Sequence, residues 1–431
     1  KDNYSSPRIT GEFADCSMPM SFDQYSNCGY DCLYCFSRFQ RSMGVGAANY
    51  LAKNVKAVSL KKFKWYFTEL DNPKNIFRDY IKQRITMQWG GMSDPFCPIE
   101  EEHGKGYELL SFLKEIRYPV NFSSKSDLIL RNEKYRKLFE GMGDVWSYKA
   151  SIITLDAEKA KIMEANTPSP QRRIETLKVL SEMGIYTIWR LRPFIIGLSG
   201  SYQPSTKEFT NDDFIQQLYT AAKVGVKAIS TEFFCLEVRA TKVAKSQFDI
   251  MSKVVGFDII DFYKNITTTM GYYRLNRAIK KPYWDKMREI CHETGMTLHV
   301  SDAHGKDYTE SGSCCGLPDD KSGKPCLTKY SACQFTEAMK IAKRNGVVKW
   351  EDIAVSDVMF KGLKTDSYIK VNNVVGLKSM QKCQMDMITF MKNLWNNPKD
   401  HNSPYKYFAG ALTPLEVDKT TGNIIYKYNG I

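Results

Sequence analysis

Three cysteines stand within eight positions in "NCGYDCLYCFSR", as Cys28, Cys32 and Cys35. Three thiolates can hold three irons of a four-iron cube and leave the fourth iron open to an exchangeable ligand. Structural zinc asks for four closed ligands, usually as two pairs. Cys16 could complete such a set only from twelve positions upstream, across a predicted strand. The spacing therefore favours an iron–sulfur site over zinc or over cysteines that are merely buried.

A second group, Cys314, Cys315, Cys326 and Cys333, spans twenty positions of loop-like sequence. It could hold an auxiliary iron–sulfur cluster or zinc, with His304 as a spare ligand. Adjacent cysteines seldom both bind one metal, so three of the four with His304, or three with an open iron, stand beside all four as ligand sets. Reduced structural cysteines, or a redox pair of Cys314 with Cys315, are the alternatives. His299 and His304 flank "VSDAH" at the end of the last predicted strand, where a barrel collects catalytic groups. A satisfied strand-end histidine is the commoner fate.

The elements that would position these groups are read from period and punctuation. Short apolar runs alternate with amphipathic stretches, as in parallel β/α units. Strands are expected at "SMPMSF" (17–22), "ITMQW" (85–89), "PVNFSS" (119–124), "VWSYKASII" (145–153), "YTIWRLRPFII" (186–196), "KAISTEFF" (227–234) and "TLHVSD" (297–302). Helices fall between them, among them "GYELLSFLKEIR" and "PQRRIETLKVLSEMG", the latter ending on a glycine suited to a C-cap. The fold class is α/β, a partial (β/α)6 TIM-like barrel with a Cys-rich C-terminal extension. The barrel is expected over 1–305, with a helical insertion at about 236–295 that shows no clear strand. A Cys-rich segment over 306–345 and a C-terminal region over 346–431 follow, the last closing on a β-hairpin around Thr-Gly-Asn.

Composition bounds the rest. Twelve cysteines in 431 residues is not the density of a disulfide scaffold, and their clustering suits a reducing compartment. No apolar run approaches the roughly 20 residues that cross a bilayer, and the start lacks a secretory signal, so no membrane partner and a cytoplasmic location are expected. The formal net charge of +13 favours polyanionic partners, although the basic residues form no single block. "GYYRLNRAIKKPYWDK" and "SPYKYFAG" mix aromatic and basic residues as base-stacking surfaces do, with core packing as the commoner alternative.

The triplet, with Tyr34 just before its last cysteine and a predicted strand just before its first, resembles the signature of the radical S-adenosylmethionine enzymes. That resemblance implies a [4Fe-4S] cluster on Cys28, Cys32 and Cys35 whose open iron chelates S-adenosyl-L-methionine. It also implies an electron donor such as flavodoxin or ferredoxin, and cleavage of the cofactor to a 5′-deoxyadenosyl radical that abstracts hydrogen. In the family a glycine pair after the second strand contacts the methionine amino group, and Gly90 and Gly91 match it. "GGMSDPFCPIEE", "SSKSDLILRN" and "RLRPFIIGLSG" narrow the resemblance, over about 28–200, to spore photoproduct lyase and its relatives.

Carried over, Tyr34, Ser93, Lys125, Ser126, Ser151 and Arg192 would line the cofactor, and Lys125 would also be catalytic. Taken singly, Lys125 is more often a surface lysine, Arg190 or Arg192 an ion-pair partner, and Ser151 a strand serine. The lyases carry a hydrogen-donor cysteine after strand two, where Met92 falls here. Cys97, a few residues on, is the candidate donor, and the reaction class, lyase or transferase, stays open.

The expected function is radical hydrogen abstraction from a substrate, leaning to nucleic acid or nucleotide modification or repair. The alternative enzyme is a radical modifier of peptides or proteins that uses an auxiliary cluster. A zinc-binding nucleic-acid adaptor is the non-enzymatic alternative, against which Gly90, Gly91 and the strand order weigh.

Overall fold

The computed structural model describes residues 7–9, 16–18, 20–41, 54–75, 77–265, 268–269, 271–319, 334–353 and 387–430. Contacts divide the chain into two compact units, one of Lys1–Ser5, Asp23–Leu60 and Trp89–Leu298, the other of Ser6–Phe22, Lys61–Gln88 and His299–Ile431.

The first unit begins its described part with the cysteine segment and the short helix α1 (Phe36–Arg41). It then runs through β1 (Met87–Trp89), α2 (Pro98–His103), α3 (Lys105–Glu115), β2 (Val120–Ser124), α4 (Glu133–Phe139), β3 (Trp146–Ser151), α5 (Ala157–Met163) and α6 (Pro170–Glu182). There follow β4 (Tyr186–Phe194), α7 (Asp213–Lys223), β5 (Ala228–Phe233), α8 (Lys245–Val255), α9 (Arg277–Thr294) and β6 (Thr297–Val300), the outermost strands reaching this unit through Trp89 and through Thr297–Leu298. The strands lie in the sheet in the order β1-β2-β3-β4-β5-β6, each beside its sequence neighbour. β2 to β5 pair in parallel. This is an α/β fold, and each of the expected strands after residue 85 forms within a few residues of its predicted place.

Register explains why the strands read as they do. On one face Phe122, Trp146, Tyr148, Ala150, Trp189 and Ile229 lie side by side and are buried. Phe139 of α4 packs there, 5.4 Å from Phe122 and 5.2 Å from Trp146 between ring centroids, and Gln217 of α7 accepts a 3.0 Å hydrogen bond from the Trp189 indole. The other face carries Asn121 and Ser123 on β2, Ser147, Lys149 and Ser151 on β3, Ile188 and Arg190 on β4, and Ser230 on β5. Helices cover the apolar face, so the polar one is turned inward, as in a barrel.

Helix signals also act where the sequence puts them. Ser169 caps α6 by accepting from the Arg172 N–H, Pro170 takes the first position, and Gly184, at φ +80°, leads the chain out. Residues 236–295 are mainly helical, with short antiparallel strands at Leu236–Glu237, Thr268–Thr269 and Tyr272–Tyr273 that the sequence does not announce. In the same region the aromatic side chains of "GYYRLNRAIKKPYWDK" take the core reading at Tyr283 and Trp284, which are buried, Tyr283 meeting Phe194 edge to face with centroids 5.0 Å apart.

The second unit pairs Met20–Phe22 antiparallel with Arg8–Ile9, and Phe22 packs 4.6 Å from Phe63 of the helix Leu60–Thr68. Its C-terminal hairpin, Leu412–Val417 with Ile424–Tyr428, forms as expected and takes Val347–Val348 as a third strand. Trp395 closes it, donating to the Ile424 carbonyl at 2.7 Å and meeting Tyr426 edge to face. No helix among the described residues is long and apolar enough to cross a membrane.

Candidate active site

The cysteine segment lies among residues that follow the C-terminal ends of β1, β2 and β3. Its path is fixed on two sides. On one, Asp23 Oδ1 accepts from the N–H groups of Met92 and Ser93 at 2.9 and 2.8 Å. The Gln24 side chain donates to the Pro95 carbonyl at 2.7 Å and accepts from the Trp89 indole at 2.7 Å. On the other, Leu33 N–H donates to the Met163 carbonyl at 3.0 Å, and Cys32 bridges Glu164. The Cys35 N–H closes a turn onto the Cys32 carbonyl at 3.2 Å, and α1 starts at once.

Cys28, Cys32 and Cys35 are free of disulfides, Cys32 buried and the other two half-buried. Burial holds the Cys32 and Cys35 thiols above the usual range, with neighbouring sulfurs adding to it. Cys28 is raised first by a side-chain hydrogen bond with Cys97 and then by burial. Among the described residues no group of three or more His, Cys, Asp or Glu side chains is arranged to hold a metal ion. The donor chemistry nonetheless fits a thiolate-bound cluster: three reduced, mutually neighbouring sulfurs, with the Lys125 ammonium beside Cys32.

Around them stands a buried ionic network. Tyr34 donates its hydroxyl to Glu164, whose other oxygen accepts from Arg173 at 2.5 Å. Arg173 also donates to the carbonyls of Ser151 and Pro168, each at 2.9 Å. Glu164 and Arg173 are 0% and 1% exposed, so this ion pair is sequestered from water. Lys125 lies 5.6 Å from the Tyr34 ring centroid. Burial pulls its ammonium down, but Cys32 and Glu164 outweigh that and leave it raised.

Asp94 ties the ends of β1 and β2 together. It accepts from the Ser124 hydroxyl at 2.8 Å and the Lys125 N–H at 2.6 Å, and burial raises its carboxyl. Gly90 is required at its place. Its φ is +92°, and a Cβ there would sit 2.5 Å from the Ser123 carbonyl oxygen. Gly91 follows, half-buried.

Thus Tyr34, Lys125, Ser126 and Cys97 stand beside the cysteine segment, Ser126 through a hydrogen bond with Tyr30 and Ser151 through Arg173. Ser151 also accepts from Arg190 at 3.1 Å. Ser93 is occupied by Asp23, and Arg192 pairs with Glu232. Sequence reasoning missed Asp94, Glu164, Arg173 and Tyr30. Asp94 and Tyr30 lie inside quoted motifs, but nothing in "KIMEANTPSPQRR" distinguishes Glu164 and Arg173 from surface charges.

The second cysteine group is described only in part. Cys315 points its thiol at the Gln88 side-chain oxygen at 3.8 Å, and the Cys314 carbonyl accepts from Ser301 at 3.1 Å. Cys326 and Cys333 lie outside the described residues. His299 takes the satisfied reading: it is fully buried, its Nδ1 is 2.8 Å from the Ser313 carbonyl, and burial lowers it to about 4. His304 follows the cap of its turn, Asp302, whose side chain accepts from the His304 N–H at 3.0 Å.

No family model matches the chain. An uncharacterized protein of Methanocaldococcus jannaschii is 28% identical over 192 residues, 44% of this chain, and the chain spans 66% of the length of that relative. Among solved structures, a serine-for-cysteine variant of spore photoproduct lyase aligns at 13% identity with a TM-score of 0.48, over 69% of this chain and 80% of that one. A variant with bound AdoMet and dinucleoside spore photoproduct aligns at 14% and 0.46, over 68% and 79%. SuiB of Streptococcus suis bound to S-adenosylmethionine aligns at 13% and 0.40, over 68% and 53%.

Proposed function

We propose that the chain is a radical S-adenosylmethionine enzyme, its cluster held by Cys28, Cys32 and Cys35. The observation that carries this reading is the placement of three reduced thiols in a fixed turn beside the C-terminal ends of β1 to β3, where Lys125, Asp94 and Ser151 converge. When bound, the cluster would supply the electron that cleaves the cofactor to a 5′-deoxyadenosyl radical.

The chain's own residues position and shelter that chemistry. Glu164 and Arg173 lock Tyr34 and the cysteine turn against β3. Lys125, kept charged, offsets negative charge gathered on the sulfurs and is suited to hold a carboxylate. Ser126, Ser151 and Arg190 supply hydroxyl and guanidinium groups along the same strand ends. Tight burial around the turn excludes water from a reactive intermediate.

The inward face of the sheet points to a polar substrate. Both amide atoms of Asn121 and the hydroxyls of Ser123 and Ser147 are buried without a hydrogen-bond partner among the described residues. Each such group costs about 1–3 kcal/mol unless something polar meets it. A hydrogen-bonding substrate such as a nucleobase or nucleotide meets that need, and the net charge of +13 suits phosphates.

Anaerobic reconstitution with iron and sulfide tests the reading. It expects a brown protein that makes 5′-deoxyadenosine from the cofactor under dithionite, and loss of that product when any one of Cys28, Cys32 or Cys35 is replaced by Ala. A colourless zinc protein, or product retained in the Ala variants, overturns it. For the substrate, oligonucleotide binding should weaken steeply between low and moderate salt; binding indifferent to salt turns the assignment to peptides.

A further inference from the structure

Cys97 lies where the cysteine turn and the start of α2 are pressed together. It is 0% exposed and hydrogen-bonds with Cys28. It occupies the N-cap position of α2, yet its side chain makes no capping bond, so the thiol is not spent on the helix. The contact is held from both directions. Gly29 comes so close to Pro98 that a Cβ would be 3.2 Å from the proline Cδ. Tyr25, three residues before Cys28, donates to Glu100, three residues after Cys97, at 2.6 Å. Glu100 is fixed in turn by the Tyr135 hydroxyl at 2.5 Å and by the N–H groups of Gly106 and Tyr107 at 2.6 and 2.8 Å.

Two sulfurs held this way share one hydrogen bond. When Cys28 binds iron as a thiolate it has no hydrogen to give, so the only donor left between them is the Cys97 S–H. A hydrogen bond to a ligating sulfur draws electron density from the iron and favours the more negative, reduced state.

We infer that Cys97 is a positioning residue whose thiol donates to Sγ of Cys28 and raises the reduction potential of the cluster, an inference that rests on the function proposed above. It assigns Cys97 a role toward the cluster, separate from hydrogen donation to a substrate.

The test is potentiometric titration of the reconstituted full chain, followed by electron paramagnetic resonance of the reduced cluster, in the parent and in Cys97→Ala, Cys97→Val and Cys97→Ser. Ala and Val remove the donor, and Val keeps most of the volume should the cavity left by Ala disturb folding. Both should shift the midpoint potential downward at unchanged iron and sulfide content, while Ser, which keeps a donor, should hold it at or above the parent value. Equal potentials in parent, Ala and Val, or a downward shift in Ser as large as in Ala, would overturn the inference and leave the proposed function standing. A parent chain that takes up no four-iron cluster would overturn both.

Discussion

Glu164→Met is the most informative single change, because it isolates the buried network behind the cysteine turn. Glu164 and Arg173 are almost wholly shielded, and among the described residues the other groups that Arg173 donates to are the carbonyls of Ser151 and Pro168 and the Thr167 hydroxyl, none of them charged. Removing one member of such a pair leaves a buried charge uncompensated and costs about 3–5 kcal/mol. The Tyr34 hydroxyl also loses its acceptor, at about 1–3 kcal/mol if no water replaces it. Hydrogen exchange read on the slowest amides of β3 and α5 reports this unit even if the two units unfold separately. At about 1.4 kcal/mol per tenfold, a loss of 3–5 kcal/mol should speed their exchange by roughly two to nearly four orders of magnitude. The double variant Glu164→Met/Arg173→Met removes both charges and should recover much of the loss. A change in exchange of less than about tenfold in Glu164→Met, or a double variant worse than the sum of the singles, would refute the claim that this ion pair fixes the turn.

Three further outcomes follow from named contacts. His299 is lowered to about 4, first by burial, with the Ser313 carbonyl opposing. The unfolded chain therefore binds this proton more readily, the stability is fully present above the unfolded value near 6.5 and is lost as pH falls towards about 4, and His299→Asn should remove about 3 kcal/mol of that dependence in urea unfolding compared at pH 7 and pH 4. Gly90→Ala meets both a φ of +92° and the Ser123 carbonyl, so a loss of at least about 1–3 kcal/mol is expected, and a thermal midpoint equal to the parent's would show that the turn relaxes freely. Glu100→Ala strips the acceptor from two tyrosine hydroxyls and two N–H groups, and should destabilise by about 3 kcal/mol or more in the same exchange experiment.

Local sequence was enough to specify the elements. Alternation of apolar and polar residues in "PVNFSS" and "VWSYKASII" marks strands whichever partner they find, and Ser169-Pro170 with Gly184 marks a helix by its ends alone. The gathering of Cys28, Cys32 and Cys35 was legible too, since three thiols on one short turn need no distant partner to be brought near one another. The Thr-Gly-Asn hairpin belongs to the same class.

What joined distant positions was left to the tertiary structure. Glu164 and Arg173 lie 130 or more residues from Cys28, and in the sequence they read as two ordinary charges. Only packing of α6 against β3, and of α5 against α6, places them beside Tyr34, and only their exclusion from water makes the pair strong. Cys97 likewise became a neighbour of Cys28 through the Tyr25–Glu100 and Gly29–Pro98 contacts, not through spacing. Alternation could not say which face of the sheet was turned inward, because period two marks two faces without telling which is covered. The physical reason is the same in each case: periodicity and caps act over a few residues, whereas burial, and with it the energy of a charge or a hydrogen bond, depends on what the rest of the chain brings alongside.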